Sequence, residues 1–165
     1  MTTGVPDRPR RDRLLLANVL ALLVPAALLG GAYGSEIWGG LFPCEMCWWQ
    51  RYAHFAALPF ALLAFALPGR RRPLVWLAAL AIAVSGAIGA YHAGVEAGIF
   101  EGLTTCTSSA AGATPEDLLK AILAAPMIRC DQVQWSLFGI SMAGWNAISS
   151  LSAAGVIAWL SLKRR

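Results

Sequence analysis

Apolar residues run along this chain in four long blocks: Leu14 to Tyr33, Trp48 to Leu67, Leu74 to about His92, and Trp145 to Leu162. Crossing a bilayer takes about 20 mostly apolar residues, with a working range of about 17–25. Each block meets that length, so the pattern predicts four transmembrane helices, with spans at about 14–33, 48–67, 74–92 and 145–162. The expected fold is all-α, an integral membrane four-helix bundle formed as a single membrane domain over residues 1–165. Pro68-Gly69 ends the second helix, and Pro73 opens the third at a position that helices tolerate. The turn between them is short enough to make the two helices antiparallel neighbours. The first block follows a basic segment, as a secretory signal would. Its length exceeds the roughly 7–15 residues of a signal core, and no small-residue cleavage site follows. It is therefore expected to stay as a span.

Composition agrees with a membrane solvent. Hydrophobic residues make up 58% of the chain and charged residues 13%. A soluble domain averages about 45–50% and about 25%. The mean hydropathy is +0.59. These values exclude a soluble enzyme, a disordered tail and a nucleic-acid binder. The net charge of +4 is not spread as a binding surface. Ten of the 13 basic residues fall in three clusters: Arg8, Arg10, Arg11 and Arg13; Arg70 to Arg72; and Lys163 to Arg165. Each cluster abuts an apolar block. The positive-inside rule then places both termini and the Pro68–Pro73 turn in the cytoplasm. Two loops, about 34–47 and 93–144, fall on the opposite side and carry seven of the nine acidic residues.

The second outer loop holds one helical signal. Thr114-Pro115-Glu116-Asp117 reads as an N-cap, a first-turn proline and first-turn acids. Pro126 ends that segment, and Leu118, Leu119, Ile122 and Leu123 share one face. It is too short to span, so a short interfacial helix is expected. An ordinary helix packed on the bundle is the plainer alternative. No internal repeat is visible.

All four cysteines, Cys44, Cys47, Cys106 and Cys130, fall on the outer side of this topology. In a bacterial plasma membrane that side is oxidising, so disulfides persist there. Four cysteines allow three pairings. Cys44-Glu45-Met46-Cys47 sits at the N-terminus of the second helix, where free backbone N–H groups and the helix dipole favour a thiolate. Cys106 and Cys130 are too far apart in sequence to look like a zinc ribbon, and no metal is expected. Arg51 and His54 follow Cys47 on the same helical face. Arg51 is the one basic residue inside a predicted span, and an intramembrane charge is by default a functional candidate. An arginine reaching back to the near interface is the alternative. His92 ends the third helix and returns to the depth of the Cys47–Arg51 turn. A thiolate, a guanidinium and an imidazole would then converge where a lipid-soluble quinone could accept electrons. His54 and His92 could also hold a haem, but nothing marks either as an axial ligand. Ser85, Gly86, Gly89 and Ala90 offer a small-residue face for close helix approach. Trp38, Trp48, Trp49, Trp76 and Trp145 read as interfacial anchors.

Cys44-x-x-Cys47-Trp48-Trp49-Gln50-Arg51 at the start of a second span resembles the hallmark of the DsbB family of bacterial disulfide bond formation proteins. Tyr91-His92-Ala93-Gly94-Val95-Glu96, then Cys106 and Cys130, then Gln134-Trp135 before the fourth span, are similar to that family's later landmarks. The resemblance covers nearly the whole chain. It implies an inner-membrane enzyme that reoxidises DsbA, the periplasmic dithiol oxidase, and passes electrons to ubiquinone or menaquinone. It implies redox-active disulfides Cys44–Cys47 and Cys106–Cys130, with Cys106 attacked by DsbA and a transient Cys44–Cys130 bond. Cys47 would then face the quinone, with Arg51 and His92 as quinone-binding residues. Two other readings compete. One is an enzyme similar to vitamin K epoxide reductase homologues. The other is a membrane binding or transport protein with structural disulfides and no turnover. A cysteine-bound metal sensor is a further class.

Overall fold

The computed structural model of the chain describes residues 8–102 and 128–162. Four helices dominate. They are α1 (Arg8–Gly39), α2 (Glu45–Ala66), α3 (Arg71–Glu96) and α4 (Met142–Leu162). A 3₁₀ turn at Pro68–Arg70 joins α2 to α3. Leu67 leaves helical geometry just before Pro68, and Pro73 lies in the first turn of α3. Both are places where a missing N–H costs little.

The helices pack through small residues. Ala17 and Ala21 of α1 meet Ala57, Ala61 and Ala64 of α2, Val75, Ala78 and Ile82 of α3, and Ala154 and Ile157 of α4 in one buried core. The spacing Ala57, Ala61, Ala64 keeps three small side chains on one stripe of α2. Helix α3 is central, packing most extensively against α2 and α4. Gly86 and Gly89 explain how closely α4 approaches. A Cβ at Gly89 would lie 3.0 Å from the Ala143 carbonyl oxygen, and one at Gly86 would lie 2.8 Å from Leu151 Cγ. Ser85 is buried on the same face, whereas Ala90 is exposed and does not belong to it. Large apolar side chains such as Leu23, Leu62, Leu80 and Leu151 point outward. Small residues inside and large apolar residues outside is the arrangement of a bundle whose solvent is lipid.

Among the described residues, three helical stretches are long and apolar enough to cross a membrane: Arg11–Gly39, Pro68–Glu96 and Met142–Leu162. The chain is thus an all-α integral membrane bundle. Helix α2 is the fourth member, and Gln50, Arg51 and His54 in its first half lower its hydropathy.

Helices extend past the apolar blocks. α1 continues beyond Tyr33 to Gly39, so the first loop shrinks to the few residues before Glu45. That extension keeps Glu36 on the helix. The chain then enters α4 through a β-hairpin that the hydrophobic pattern does not signal. Strands β1 (Ser136–Leu137) and β2 (Ile140–Ser141) pair antiparallel, Ser136 with Ser141 and Leu137 with Ile140. Phe138 and Gly139 turn the corner with φ of 53° and 77°. Two successive positive φ values match a type I′ turn, whose twist suits a tight hairpin. The Trp145 indole donates to the Leu137 carbonyl at 3.2 Å and ties the hairpin to α4. The expected interfacial helix near Thr114–Pro126 lies outside the described residues, as does Cys106.

Candidate active site at the cysteine end of the bundle

Cys44 is the N-cap of α2. Its φ and ψ of −75° and 174° are extended, and its sulfur accepts from the Cys47 backbone N–H at 3.3 Å. A cysteine here takes the place of the usual serine or aspartate cap. Its thiol also donates to Cys47 Sγ at 2.9 Å. Both are free thiols, with Cys44 buried and Cys47 half-buried. Donating to Cys47, together with burial, pushes the Cys44 thiol far above its ordinary range. A pair with one proton to spare therefore keeps it on Cys44, and Cys47 carries the charge. Cys130 is also buried, packed in one cluster with Cys44, Met46 and Val95.

Arg51 lies one turn below Cys47. Its side chain is held inside the bundle, only 6% exposed. One guanidinium nitrogen donates to Glu36 at 2.6 Å and the other to the Ala32 carbonyl at 3.2 Å, both on α1. The guanidinium also stacks over Tyr33 at 4.6 Å and Trp48 at 4.9 Å from the ring centroids. A planar fork with two aromatic faces is a rigid seat for a buried cation. The extended α1 makes this possible by carrying Glu36 to the depth of Arg51.

His92 arrives from α3. Its Nε2 lies 3.6 Å from Cys44 Sγ and 3.9 Å from Glu96 Oε1. Its Nδ1 meets Gln50 Nε2 at 3.0 Å. Gln50 in turn accepts from Asn146 Nδ2 at 2.8 Å, and Asn146 Oδ1 lies 3.0 Å from His54 Nε2. The network thus crosses three helices. One ring nitrogen of His92 and the two α2 sulfurs all lie within 4.8 Å of one another, a partial ligand set for a thiophilic metal.

These groups share one cavity of about 600 Å³. Cys44, Cys47, Gln50, Arg51, His54, His92, Glu96 and Asn146 line it on the polar side. Ala27, Leu28, Leu29, Phe42, Met142 and Trp145 supply an apolar wall, with Gln134 and Trp135 at the hairpin. The volume suits a small organic molecule, and few polar groups in an apolar wall are what such a site needs.

Comparison with known proteins decides the relationship. The family model for "Disulfide bond formation protein DsbB" matches residues 13–160. The chain belongs to the DsbB family. Relatives named "Disulfide bond formation protein B" include one from Azoarcus sp., 30% identical over 169 residues, covering 95% of this chain and 96% of the relative. Another, from Marinobacter nauticus, is 30% identical over 137 residues, covering 78% of this chain and 80% of the relative. An uncharacterized protein from Rickettsia prowazekii is 22% identical over 145 residues, covering 86% and 84%. No solved structure matches.

DsbB membership makes the chain a disulfide-forming membrane protein. Of the residues singled out in the sequence, the structure brings Cys44, Cys47, Arg51, His92 and His54 to one cavity and sets Cys130 against Cys44. Cys106 lies outside the described residues. Sequence reasoning missed Glu36, Gln50, Asn146 and Glu96 as members of the site. Gln50 and Asn146 carried a usable signal, since polar side chains within predicted spans are rare and costly. Glu36 and Glu96 carried none, because their roles depend on which helix faces them.

Proposed function

We propose that the chain is a quinone-dependent thiol:disulfide oxidoreductase of the bacterial inner membrane. It takes electrons from a DsbA-like periplasmic dithiol protein. In this reading α2 is the fourth span, and the spans run at about 14–33, 48–67, 74–92 and 145–162. Both termini are cytoplasmic, and all four cysteines work at the periplasmic side. The observation that carries the reading is the shared cavity, which puts a dithiol, a buried arginine and a histidine against an apolar wall.

Cys106–Cys130 is the disulfide presented to the partner. A partner thiolate attacks Cys106 and releases Cys130 as a thiolate. The partner's second thiol then resolves the mixed bond, so the partner leaves as a disulfide. Cys130 attacks Cys44 of the Cys44–Cys47 disulfide and frees Cys47. Cys106 then closes on Cys130 and restores the first disulfide, leaving Cys44 and Cys47 reduced. The packing of Cys130 on Cys44 suits that exchange. Accessible disulfides and good leaving thiolates are what such steps need. The quinone is a substrate. It takes two electrons and two protons and leaves as hydroquinone, while Cys44 and Cys47 close to a disulfide. Arg51 stabilises the Cys47 thiolate and the negative charge that arrives on an acceptor oxygen. His92 binds that oxygen.

The test is anaerobic turnover of purified protein with reduced DsbA and a soluble quinone. Wild type is expected to reduce quinone at substrate levels, and Cys47→Ser and Cys106→Ser are expected to abolish it. A folded, quinone-loaded wild type that gives no turnover would sink the assignment.

A further inference from the structure

The polar network behind the cysteines determines where the histidine hydrogens sit. Gln50 is buried, and its Nε2 lies 3.1 Å from the Met46 carbonyl oxygen. A carbonyl only accepts, so that atom must be the amide nitrogen. The same nitrogen faces His92 Nδ1 at 3.0 Å, so Nδ1 accepts and holds no hydrogen. A neutral ring then carries its hydrogen on Nε2, the atom facing Cys44 Sγ and Glu96, and the ring also bonds the Cys130 backbone. Gln50 Oε1 must accept, so the Asn146 atom 2.8 Å away is its amide nitrogen. Two further contacts of that nitrogen agree, to the Ser85 carbonyl and hydroxyl at 3.2 Å each. Asn146 Oδ1 is left to accept from His54 Nε2 and from the Ser150 hydroxyl, both at 3.0 Å.

We infer that Gln50 is a positioning residue, which with Asn146 locks His92 with its Nε2–H toward the Cys44–Cys47 pair and so keeps that nitrogen from ligating a metal. Two cysteines and a histidine this close would otherwise form most of a zinc site. A metal-bound Nε2 needs its hydrogen on Nδ1, which would then point at the Gln50 amide nitrogen. Turning the amide over would set its oxygen against the Met46 carbonyl and its nitrogen against the Asn146 nitrogen. The lock therefore leaves the dithiol free for exchange. It also holds a hydrogen-bond donor beside the sulfurs, which serves the acceptor oxygen if the thiol–quinone reading holds; the donor's purpose rests on that reading, and the lock itself does not.

The chain has two histidines, so the ¹⁵N spectrum of the reduced protein in micelles contains two imidazoles. His92→Asn assigns them. In wild type both neutral rings are expected as the Nε2–H form. In Gln50→Glu, recorded at a pH where the carboxylate is ionised, its oxygen can only accept from Nδ1–H, and His92 is expected to switch to the Nδ1–H form. A wild-type His92 in the Nδ1–H form, or a folded Gln50→Glu in which it does not switch, overturns the lock. Zinc affinity of the reduced protein gives a second reading, from titration against a chromophoric chelator. His92→Asn is expected to leave wild-type affinity unchanged. The same change made in Gln50→Glu is expected to lower affinity by at least about tenfold, because it removes a ligand and not merely a contact that orients one. A tenfold loss in the wild-type background means that His92 ligates zinc and overturns the inference. Absent quinone turnover with both tautomers as expected overturns the functional reading and supports the lock.

Discussion

At the scale of single residues, the site is a set of largely buried polar groups, and Arg51, Gln50, His54 and His92 are each held by a partner on another helix. Arg51 is the most demanding, since a buried guanidinium without its carboxylate is far costlier than the intact pair. Glu36→Ala is therefore expected to destabilise the protein by about 3 kcal/mol, the lower end for breaking a buried pair, because Glu36 is partly exposed. Thermal unfolding in detergent measures it, and Glu36→Gln is expected to recover part of the loss. The thiols give a second prediction. The Cys44 thiol is raised by donating to Cys47 and by burial, so its thiolate is scarce at neutral pH. Iodoacetamide is expected to label Cys47 first at pH 7, with Cys44 following more slowly. Mass spectrometry of the partly alkylated chain reads the order, and Cys44 labelled first would contradict it. The places of Cys44, Cys47, Arg51 and His92 in the cavity could be read from sequence because each is an unusual residue for its place: a thiol pair at a helix start, a charge in a span, an imidazole at a helix end. Glu36 and Glu96 look like ordinary loop acids until the helices are packed.

At the scale of elements, apolar blocks give the number of helices and not their ends. Leu14 to Tyr33 stops where hydropathy stops, but the backbone stays helical to Gly39 because nothing before Gly40 breaks it. The hairpin escaped notice for another reason. Its strands are two residues each, and Phe138-Gly139 lacks the Asn-Gly or Asp-Gly signature of a type I′ turn. The contact between α3 and α4 was legible as Ser85, Gly86 and Gly89, and Ala90 shows that small size alone does not assign a face. Gly89→Ala puts a methyl against the backbone of α4, which cannot move aside as a side chain would. It is expected to cost about 1–3 kcal/mol through overpacking. Unfolding in detergent measures this too. Gly155→Ala, with open space around its Cβ, is expected to be near neutral.

At the scale of the whole molecule, the bundle divides along its length. The half with Ala61, Ala64, Val75 and Ile157 is packed with small apolar residues and has little chemistry. The half with Cys44, Arg51 and His92 gives up packing for a cavity and a polar network. Concentrating polar groups at one end lets three helices stay apolar enough to span, while α2 carries the site. In the proposed function, electrons leave the Cys44–Cys47 dithiol to a quinone held in that cavity. The most direct measurement leaves the partner out. Fully reduced Cys106→Ser/Cys130→Ser protein is mixed anaerobically with excess soluble quinone, and hydroquinone and free thiols are counted. One hydroquinone is expected for each Cys44–Cys47 disulfide formed, with Arg51→Ala slowing the reaction about tenfold or more. A folded protein whose thiols stay reduced, or whose disulfide forms without hydroquinone, would contradict the proposed function.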